Sequence, residues 1–538
     1  MPTLHWIGKE KVVNHHLDVP FRVLDQQYSY GSDDGNMIIR GDNLHALKAL
    51  LPQYEGRVKC IYIDPPYNTG NESWVYNDNV NDPKIRRWLG EVVGREGEDL
   101  SRHDKWLCMM YPRLRLLQRL LAEDGLIAVS IDDNEVFYLG AIMNEIFGAK
   151  NRLACAPWLA EPSGGREKTK IRNGHEYILI YTNGSIESLS KDERSEGKLA
   201  LKDNLGQYRK GRELRKLGGT SLRSDRPNQW FEVTAPNREI VLPYRNDGKE
   251  GHWRWSTKNS EMQKILVNPS YAHWELCSYD DGVVIDGQTE RWVPFEKIRE
   301  EKRTVGWSSW LDKVGFNSDA TSVLKKIFGE KPFETPKPVS MLEWIVSLYD
   351  SNESDTIVLD SFAGSGTTAH AVLTLNKRDG GNRRFILVEM EGYAERITAE
   401  RVRRVIDGYG EGKNAVEGTG GGFGFYDLGE ELLFADGNLN EAVGAARIRD
   451  YVWYMETKLP AQAAKPDEPY YLGAIGGAAY YFYYETEQIT TLGAEFLSGI
   501  KTAAERYIIY ADRCALSEDE LKKYNVVFKK IPRDIAKL

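Results

Sequence analysis

Apolar residues along this chain switch between two periods. Met37, Ile38 and Ile39 make a short apolar run that predicts a strand over residues 36–40; the following GDNLHALKALLP carries Leu44, Leu47, Leu50 and Leu51 at helical spacing, with Pro52 expected to end the helix. Residues 57–63 read as the next strand. In HDKWLCMMYPRLRLLQRLLAEDG, residues Trp106, Met110, Leu114, Leu117 and Leu121 mark one helical stripe that runs toward Gly125, with Pro112 bending the helix or opening its second part. LIAVSID (126–132) is a continuous apolar strand, EVFYLGAIMNEIFG a helix and HEYILIYTN a further strand. Strand and helix alternate, which predicts an α/β fold with a mostly parallel sheet covered by helices.

From about Ile186 to Gly329 that alternation gives way to polar, Trp-containing and short β-like pieces, so an inserted domain is expected there. Order resumes at Pro338. VSMLEWIVSLY is a helix, TIVLD a strand, SFAGSGT a turn, TAHAVLTLN a helix and FILVEM (385–390) a strand, together one βαβ unit. The glycine-dense GYGEGKNAVEGTGGGFGF reads either as a linker or as a long surface loop, and a small α/β tail follows, with a candidate hairpin in YYLGAIGGAAYYFYYE turning at Gly476 and Gly477. The expected organisation is a core in two parts, 1–184 and 331–410, an inserted domain at 185–330 and a C-terminal domain at 411–538.

Composition narrows the class. At 538 residues with 41% hydrophobic content the chain is long enough for two or three domains. No apolar run reaches the length of a membrane span, and MPTLHWIGKEKVV lacks the apolar block of a signal peptide, so a cytoplasmic address is expected. Five scattered cysteines form no CxxC pair and no cluster with histidine, so no metal site is expected.

A net charge of -9 is unlike that of a nucleic-acid binder, and any such role needs a local basic surface. Between Lys202 and Arg226, eight Lys or Arg face three Asp or Glu. Arg209, Lys210, Arg212, Arg215, Lys216, Arg223 and Arg226 are therefore candidate phosphate contacts. Trp230, Phe231, Trp253, Trp255 and Trp274 follow closely, and they suit base stacking or wedging as well as they suit a buried core.

Two turns carry the candidate chemistry, and both sit at the carboxyl ends of strands, where α/β sheets bind ligands. In DSFAGSGT, Asp360 ends a strand, Gly364 and Gly366 let the backbone pass close to a ligand, and Thr367 opens a helix. Glu389 stands at the end of the next strand, where an acid holds ribose hydroxyls. No GxxxxGK[ST] is present, and a cofactor offering an adenine, a ribose and a charged amino-acid tail suits Phe362 and Asp360 better than a nucleoside triphosphate.

The other turn is IYIDPPYNTG (61–70). An exocyclic amine on a nucleobase is a poor nucleophile because its lone pair is delocalised into the ring. Acceptors that draw its protons pull the nitrogen toward a tetrahedral shape. Asp64 can accept one proton and the Pro65 carbonyl the other, Pro65 and Pro66 fix the direction of that carbonyl, and Tyr67 offers a face for a base taken out of its duplex.

At Asp64-Pro65-Pro66-Tyr67 and Phe362-Ala363-Gly364-Ser365-Gly366 the chain resembles the S-adenosylmethionine-dependent DNA amino-methyltransferases, and the order of the two motifs is the permuted order of the β class. GDNLHALKALL, IDPPYNTG, HDKWLCMMYPRLRLLQRLL, HEYILIY, PKPVSMLEWIV and DSFAGSGTTAHAVL together resemble the modification (Mod) subunits of type III restriction-modification systems. The resemblance implies a Rossmann-like methyltransferase fold with a target-recognition domain inserted between the motifs, methylation of adenine N6 in a short double-stranded DNA sequence, and a flipped base. It also implies that Lys337, in the Lys337-Pro338 segment, touches the cofactor, and that Asp42 and Asn43 contact the cofactor adenine, although GDN equally suits a helix cap.

Such subunits dimerise and recruit a Res helicase-nuclease subunit; the segment after Gly424 would then serve dimerisation or docking through AYYFYYE, which a buried strand explains as well. Asp rather than Ser before PPY favours adenine over cytosine N4. A DNA-specificity subunit without catalysis is the alternative from another class.

Overall fold

The computed structural model describes residues 3–32, 34–69, 100–164, 171–184, 189–195, 197–300, 302–349, 356–462 and 465–533. They form two compact units, Lys191–Trp307 and the remainder of the chain on either side of it.

The larger unit is built on a nine-stranded sheet. Its strands in chain order are β1 (Arg22–Gly31), β2 (Met37–Arg40), β3 (Val58–Ile63), β4 (Leu121–Ile131), β5 (Arg152–Leu159), β6 (His175–Thr182), β7 (Ile357–Asp360), β8 (Arg384–Glu389) and β9 (Gly422–Glu431). They lie in the order β1-β9-β2-β8-β7-β3-β4-β6-β5. The six from β9 to β4 are parallel, whereas β1, β6 and β5 join by antiparallel pairing. The parallel centre reads as continuous apolar runs because both faces of its strands are covered: Ile38, Ile39, Ile61, Ile63, Val358, Leu359, Ile386 and Leu387 are all buried.

The topology answers how two motifs some 300 residues apart in the chain can share one place. β3, which leads into Asp64, is paired in parallel with β7, which ends at Asp360; Val358 faces Cys60 and Leu359 faces Ile61. Both turns therefore leave the same edge of the sheet from adjacent strands. The expected α/β, mostly parallel architecture is what the chain adopts.

Four expectations need correction. Pro52 does not end its helix, which runs from Asn43 to Tyr54; a proline in the last turn removes only one backbone donor, and Glu55 N–H still closes the helix on Leu51 O at 3.1 Å. The long helix Leu100–Leu120 carries Pro112 inside it and stops at Leu120, where β4 begins. The inserted unit is narrower than 185–330, because helix Asn317–Phe328 belongs to the larger unit.

The fourth concerns the boundary at 411. The glycine-dense passage is no linker: it leads into β9, which lies between β1 and β2. At Gly422 a side chain would meet the backbone oxygen of Ser32 at 2.1 Å, so the glycines there serve the close approach of two chains.

Beyond β9, residues 471–475 and 478–482 form the expected hairpin through Gly476 and Gly477, within a four-stranded sheet completed by Arg506–Ala511 and Val526–Lys530. Strand Ala478–Phe482 is internal to that sheet, and Tyr481, Phe482 and Tyr484 are buried. Much of the aromatic run is thus core, as the buried-strand reading has it, while Tyr480 and Tyr483 are half-buried. This region is tied to the main sheet's body through the buried Tyr454 hydroxyl, which accepts from Arg119 Nη2 at 2.7 Å and donates to Glu55.

The inserted unit has its own core of Leu214, Val233, Val241, Trp253, Met262 and Ile265. Its entry and exit, Asp192–Ser195 and Lys302–Val305, pair with each other in antiparallel fashion. A four-stranded antiparallel sheet contains Gly206–Glu213, which carries Arg209, Lys210 and Arg212.

Candidate active site

A cavity of about 810 Å³ opens at the ends of β3 and β7. Asp64, Pro65, Pro66, Tyr67, Lys337, Asp360, Phe362, Gly364, Thr367 and Glu389 all line it. The sequence placed these residues in one site, and the sheet brings them together.

At the β3 end the DPPY turn is clamped from outside. Trp106 Nε1 donates to the Pro66 carbonyl at 2.7 Å. Asn68, left-handed at φ 61° and fully buried, donates to Glu135, which also bonds His103 Nδ1 at 2.6 Å. A non-glycine residue held in that conformation needs such over-determination, and the reward is a turn fixed before any ligand arrives.

Inside the clamp lies a charged cluster. Lys337 Nζ is 3.0 Å from Asp64 Oδ1, 3.5 Å from Glu176 Oε2 and 4.8 Å from the centre of the Tyr67 ring. Tyr67 donates its hydroxyl to the same Glu176 oxygen at 2.7 Å. Burial pushes the Asp64 carboxyl above its ordinary pKa, and Lys337 opposes this only in part while Glu176 adds to it. Burial alone would pull the Lys337 ammonium down, but the two carboxylates outweigh it and hold its pKa above the usual value. Tyr67, raised by burial and by both carboxylates, stays a hydrogen-bond donor.

The β7 end is organised by backbone. Glu389 accepts from Gly364 N–H at 2.7 Å and from Glu391 N–H at 3.0 Å. Asp360 accepts from Phe362 N–H at 3.0 Å and from the Thr368 hydroxyl at 2.5 Å. Burial lifts both carboxyls to about 7. Gly364, at φ 51°, faces the ring of Phe333, while Gly366, at φ 79°, packs on the backbone of Thr398 and does not line the cavity. Thr367 lines the cavity, but its hydroxyl already accepts from the buried Arg401 at 2.7 Å, so it supports the turn. Phe333 and Tyr393, with ring centres 5.5 Å apart, add aromatic walls beside Phe362.

Asp42 and Asn43 do not reach the cavity. Asp42 caps helix Asn43–Tyr54, accepting from Leu44 N–H at 2.8 Å. Asn43 is buried and donates to the Ser361 carbonyl at 3.0 Å, which braces the glycine turn from behind. The capping reading of GDN is therefore the one the geometry realises.

Glu176 was not singled out by its sequence. Its only signal was a carboxylate at the head of an otherwise apolar strand, HEYILIY. Such a residue reads as a solvated strand end until Tyr67, in the turn after β3, is found against it.

In the inserted unit, Arg209, Lys210 and Arg212 line a separate hollow of about 520 Å³ with Arg254, Trp255 and Lys302. Lys210 pairs with Glu275 at 2.5 Å and lies 4.0 Å from the centre of the Phe295 ring. Lys216 is half-buried; Arg223, exposed, pairs with Glu250 at 3.0 Å, and Arg226 is exposed.

Arg215 is different. Its side chain is 4% exposed, 2.6 Å from Glu213, and bonded to the Tyr244 carbonyl and to Asn246. It is removed from the candidate phosphate contacts, because a guanidinium so enclosed does not reach the surface where a phosphate would lie. Trp253 and Trp274 are likewise committed: their indole N–H groups donate to the Phe231 and Pro269 carbonyls at 2.7 and 2.8 Å. Of the aromatics considered for stacking, Trp255 is the one that borders the basic hollow.

An acidic DPPY turn and a glycine turn thus leave adjacent parallel strands toward one cavity. The pattern of the DNA methylase family N6_N4_Mtase matches residues 58–400, which span β3 through β8. The chain belongs to that family. Among its relatives, the type III restriction-modification enzyme EcoPI Mod subunit of Escherichia phage P1 is 32% identical over 427 residues, covering 72% of this chain and 63% of the relative. The type II methyltransferase M.KpnI of Klebsiella pneumoniae is 33% identical over 361 residues, covering 65% of this chain and 79% of the relative. The EcoP15I Mod subunit of Escherichia coli is 30% identical over 430 residues, 72% of this chain and 64% of the relative. The chain thus spans somewhat under two thirds of the length of these Mod subunits.

Proposed function

We propose that this N6_N4_Mtase member is a site-specific adenine-N6 DNA methyltransferase that uses S-adenosylmethionine and acts on a flipped base, as the Mod subunit of a type III system. The observation that carries this reading is one cavity with an acceptor and a stacking ring, Asp64 and Tyr67, at one end, and a ring-and-acid pocket, Phe362, Asp360 and Glu389, at the other.

The residues fit the cofactor. Aromatic walls from Phe333, Phe362 and Tyr393 suit an adenine, Glu389 suits ribose hydroxyls, and Asp360 suits the cationic amino-acid tail. When bound, S-adenosylmethionine supplies an electrophilic methyl group on a sulfonium.

The protein's own contribution is geometric and electrostatic. Asp64 accepts a proton of the target amine while a carbonyl of the proline turn accepts the other, so the nitrogen lone pair leaves conjugation and becomes available for attack. Tyr67 presents its ring to the purine. Trp106, Asn68 and Glu135 hold the turn rigid, so these acceptors need no reorganisation at the moment of reaction.

The inserted unit is the proposed recognition module, with Arg209, Lys210, Arg212, Lys216, Arg223 and Arg226 facing the phosphates of double-stranded DNA. A Res helicase-nuclease partner, suggested by the Mod subunits among the relatives, completes the reading together with a homodimer and a cytoplasmic location.

Tritiated methyl transfer into unmethylated DNA, followed by nucleoside analysis, tests the proposal. N6-methyladenine is the expected product. N4-methylcytosine would replace the substrate, and absence of transfer would remove the function.

A further inference from the structure

The charged cluster at Asp64 holds more than the reaction needs. Asp64, for its assigned role, must receive an amine, and Tyr67 must receive a flat ring. In the structure both positions are claimed by one group. Lys337 Nζ sits 3.0 Å from Asp64 Oδ1 and 4.8 Å from the Tyr67 ring centre, which is where an amine on a stacked base would compete. The same ammonium has a second carboxylate, Glu176, at 3.5 Å.

Building on the function proposed above, we infer that Lys337 keeps the place of the target amine on Asp64, and that Glu176 takes over its ammonium when a nucleobase enters. Glu176 is then a positioning residue.

Three features support this. Lys337 is enclosed, with its side chain 9% exposed, so moving it off Asp64 without another anion would strand a buried charge. Glu176 is held in place by the Tyr67 hydroxyl at 2.7 Å, so the receiving oxygen is already aimed. The separations are unequal, 3.0 against 3.5 Å, as expected of a cation whose resting partner is Asp64 and whose alternative partner is within a small side-chain shift. An ammonium at Asp64 also favours the ionised form of that carboxyl, against the burial that raises it. The groups acting on Asp64 from the elements around it are Lys337, Glu176 and Tyr67, and Asp64 in turn acts on Tyr62 and Asp360.

Glu176→Gln separates this role from a purely structural one. A glutamine oxygen still accepts the Tyr67 hydroxyl, but it offers the ammonium no charge. DNA methylated by the wild-type protein is first sequenced to find the site, and a duplex carrying it is used for kinetics. The expected result is a fall in kcat/KM for DNA of about tenfold or more, mostly through KM, with cofactor affinity measured by calorimetry within about twofold of wild type.

Removing the negative charge of Glu176, which raises the Asp64 carboxyl, also moves the acid limb of kcat/KM to lower pH, a shift that looser packing would not produce. Glu176→Asp, which keeps the charge on a shorter arm, recovers much of the loss and guards against a folding defect in the first variant. Wild-type kcat/KM in Glu176→Gln, or a loss shared equally by the Asp variant with an unmoved acid limb, overturns the inference. A wild-type protein that methylates no DNA overturns the function beneath it instead.

Discussion

The cavity at the sheet edge and the basic hollow of the inserted unit are both lined by charged side chains, yet they handle charge in opposite ways. In the cavity the carboxyls of Asp360 and Glu389 are enclosed and that of Asp64 is half-buried, and burial raises all three. Around the hollow, Lys210 is partly exposed and paired, and at Glu275 that pairing lowers the carboxyl pKa, the side-chain bond from Lys210 being the leading cause. A charge in the first region is strained and changes chemistry when perturbed. A charge in the second is solvated and changes adhesion. The formal charges are alike, and the dielectric around them decides which they do.

If the contrast is real, the largest effect belongs to Asp64. Asp64→Ala is expected to lower methyl transfer by about a thousandfold or more while leaving cofactor affinity nearly unchanged, since the missing acceptor acts on the amine alone. Substantial turnover in that variant would break the comparison at its strongest point.

Next comes Glu389→Gln. Both carboxylate oxygens accept backbone N–H groups, so an amide must turn its NH₂ against one of them. Cofactor affinity is expected to drop by about a hundredfold on calorimetric titration.

Arg215→Ala sharpens the contrast from the other side. It strands Glu213 inside the inserted unit and should cost about 2–4 kcal/mol of that unit's stability, read as earlier loss of protection in hydrogen exchange over residues 206–298. Arg212→Ala, three residues away, is expected to leave the fold intact. It should weaken DNA binding uniformly across sequences and reduce the slope of log affinity against log salt by about 1.

The smallest effect is thermal. Asp360 is at about 7 when folded and near the ordinary carboxylate value when unfolded, so the native state holds the extra proton between those values. Its contribution to stability therefore falls as pH rises from about 4 to 7 and stays unfavourable above that range. In Asp360→Asn the Thr368 hydroxyl can turn from donor to acceptor, so the change is tolerated. The ligand-free variant should melt roughly 1–3 °C above wild type at pH 8 and show no gain at pH 4. An equal gain at both would mean that the charge of Asp360 is not what destabilises it.

Much of the sheet was legible because its parallel strands are apolar without interruption, and the two turns were legible because aspartate, proline and glycine punctuate them. What stayed hidden has physical reasons. Glu176 gains its meaning only from Tyr67 on another element. Arg215 and Arg212 look alike in a basic run, and a one-residue change of face in the strand and its exit decides which is enclosed. β9 was obscured by glycines that signal a flexible loop in sequence but here let Gly422 pass against Ser32. Asp42 satisfied two readings, and the helix that follows it selected capping.

The place of β9 also governs how the protein can be made. β2 has emerged from the ribosome early, but its two neighbours, β8 and β9, are synthesised only at residues 384–389 and 422–431. For most of translation a short run of isoleucines waits with both edges bare, and a nascent chain in that state has every reason to engage a chaperone. A truncation at Gly421 would leave one of those edges open permanently, so the shortest fragment worth expressing must extend past Glu431.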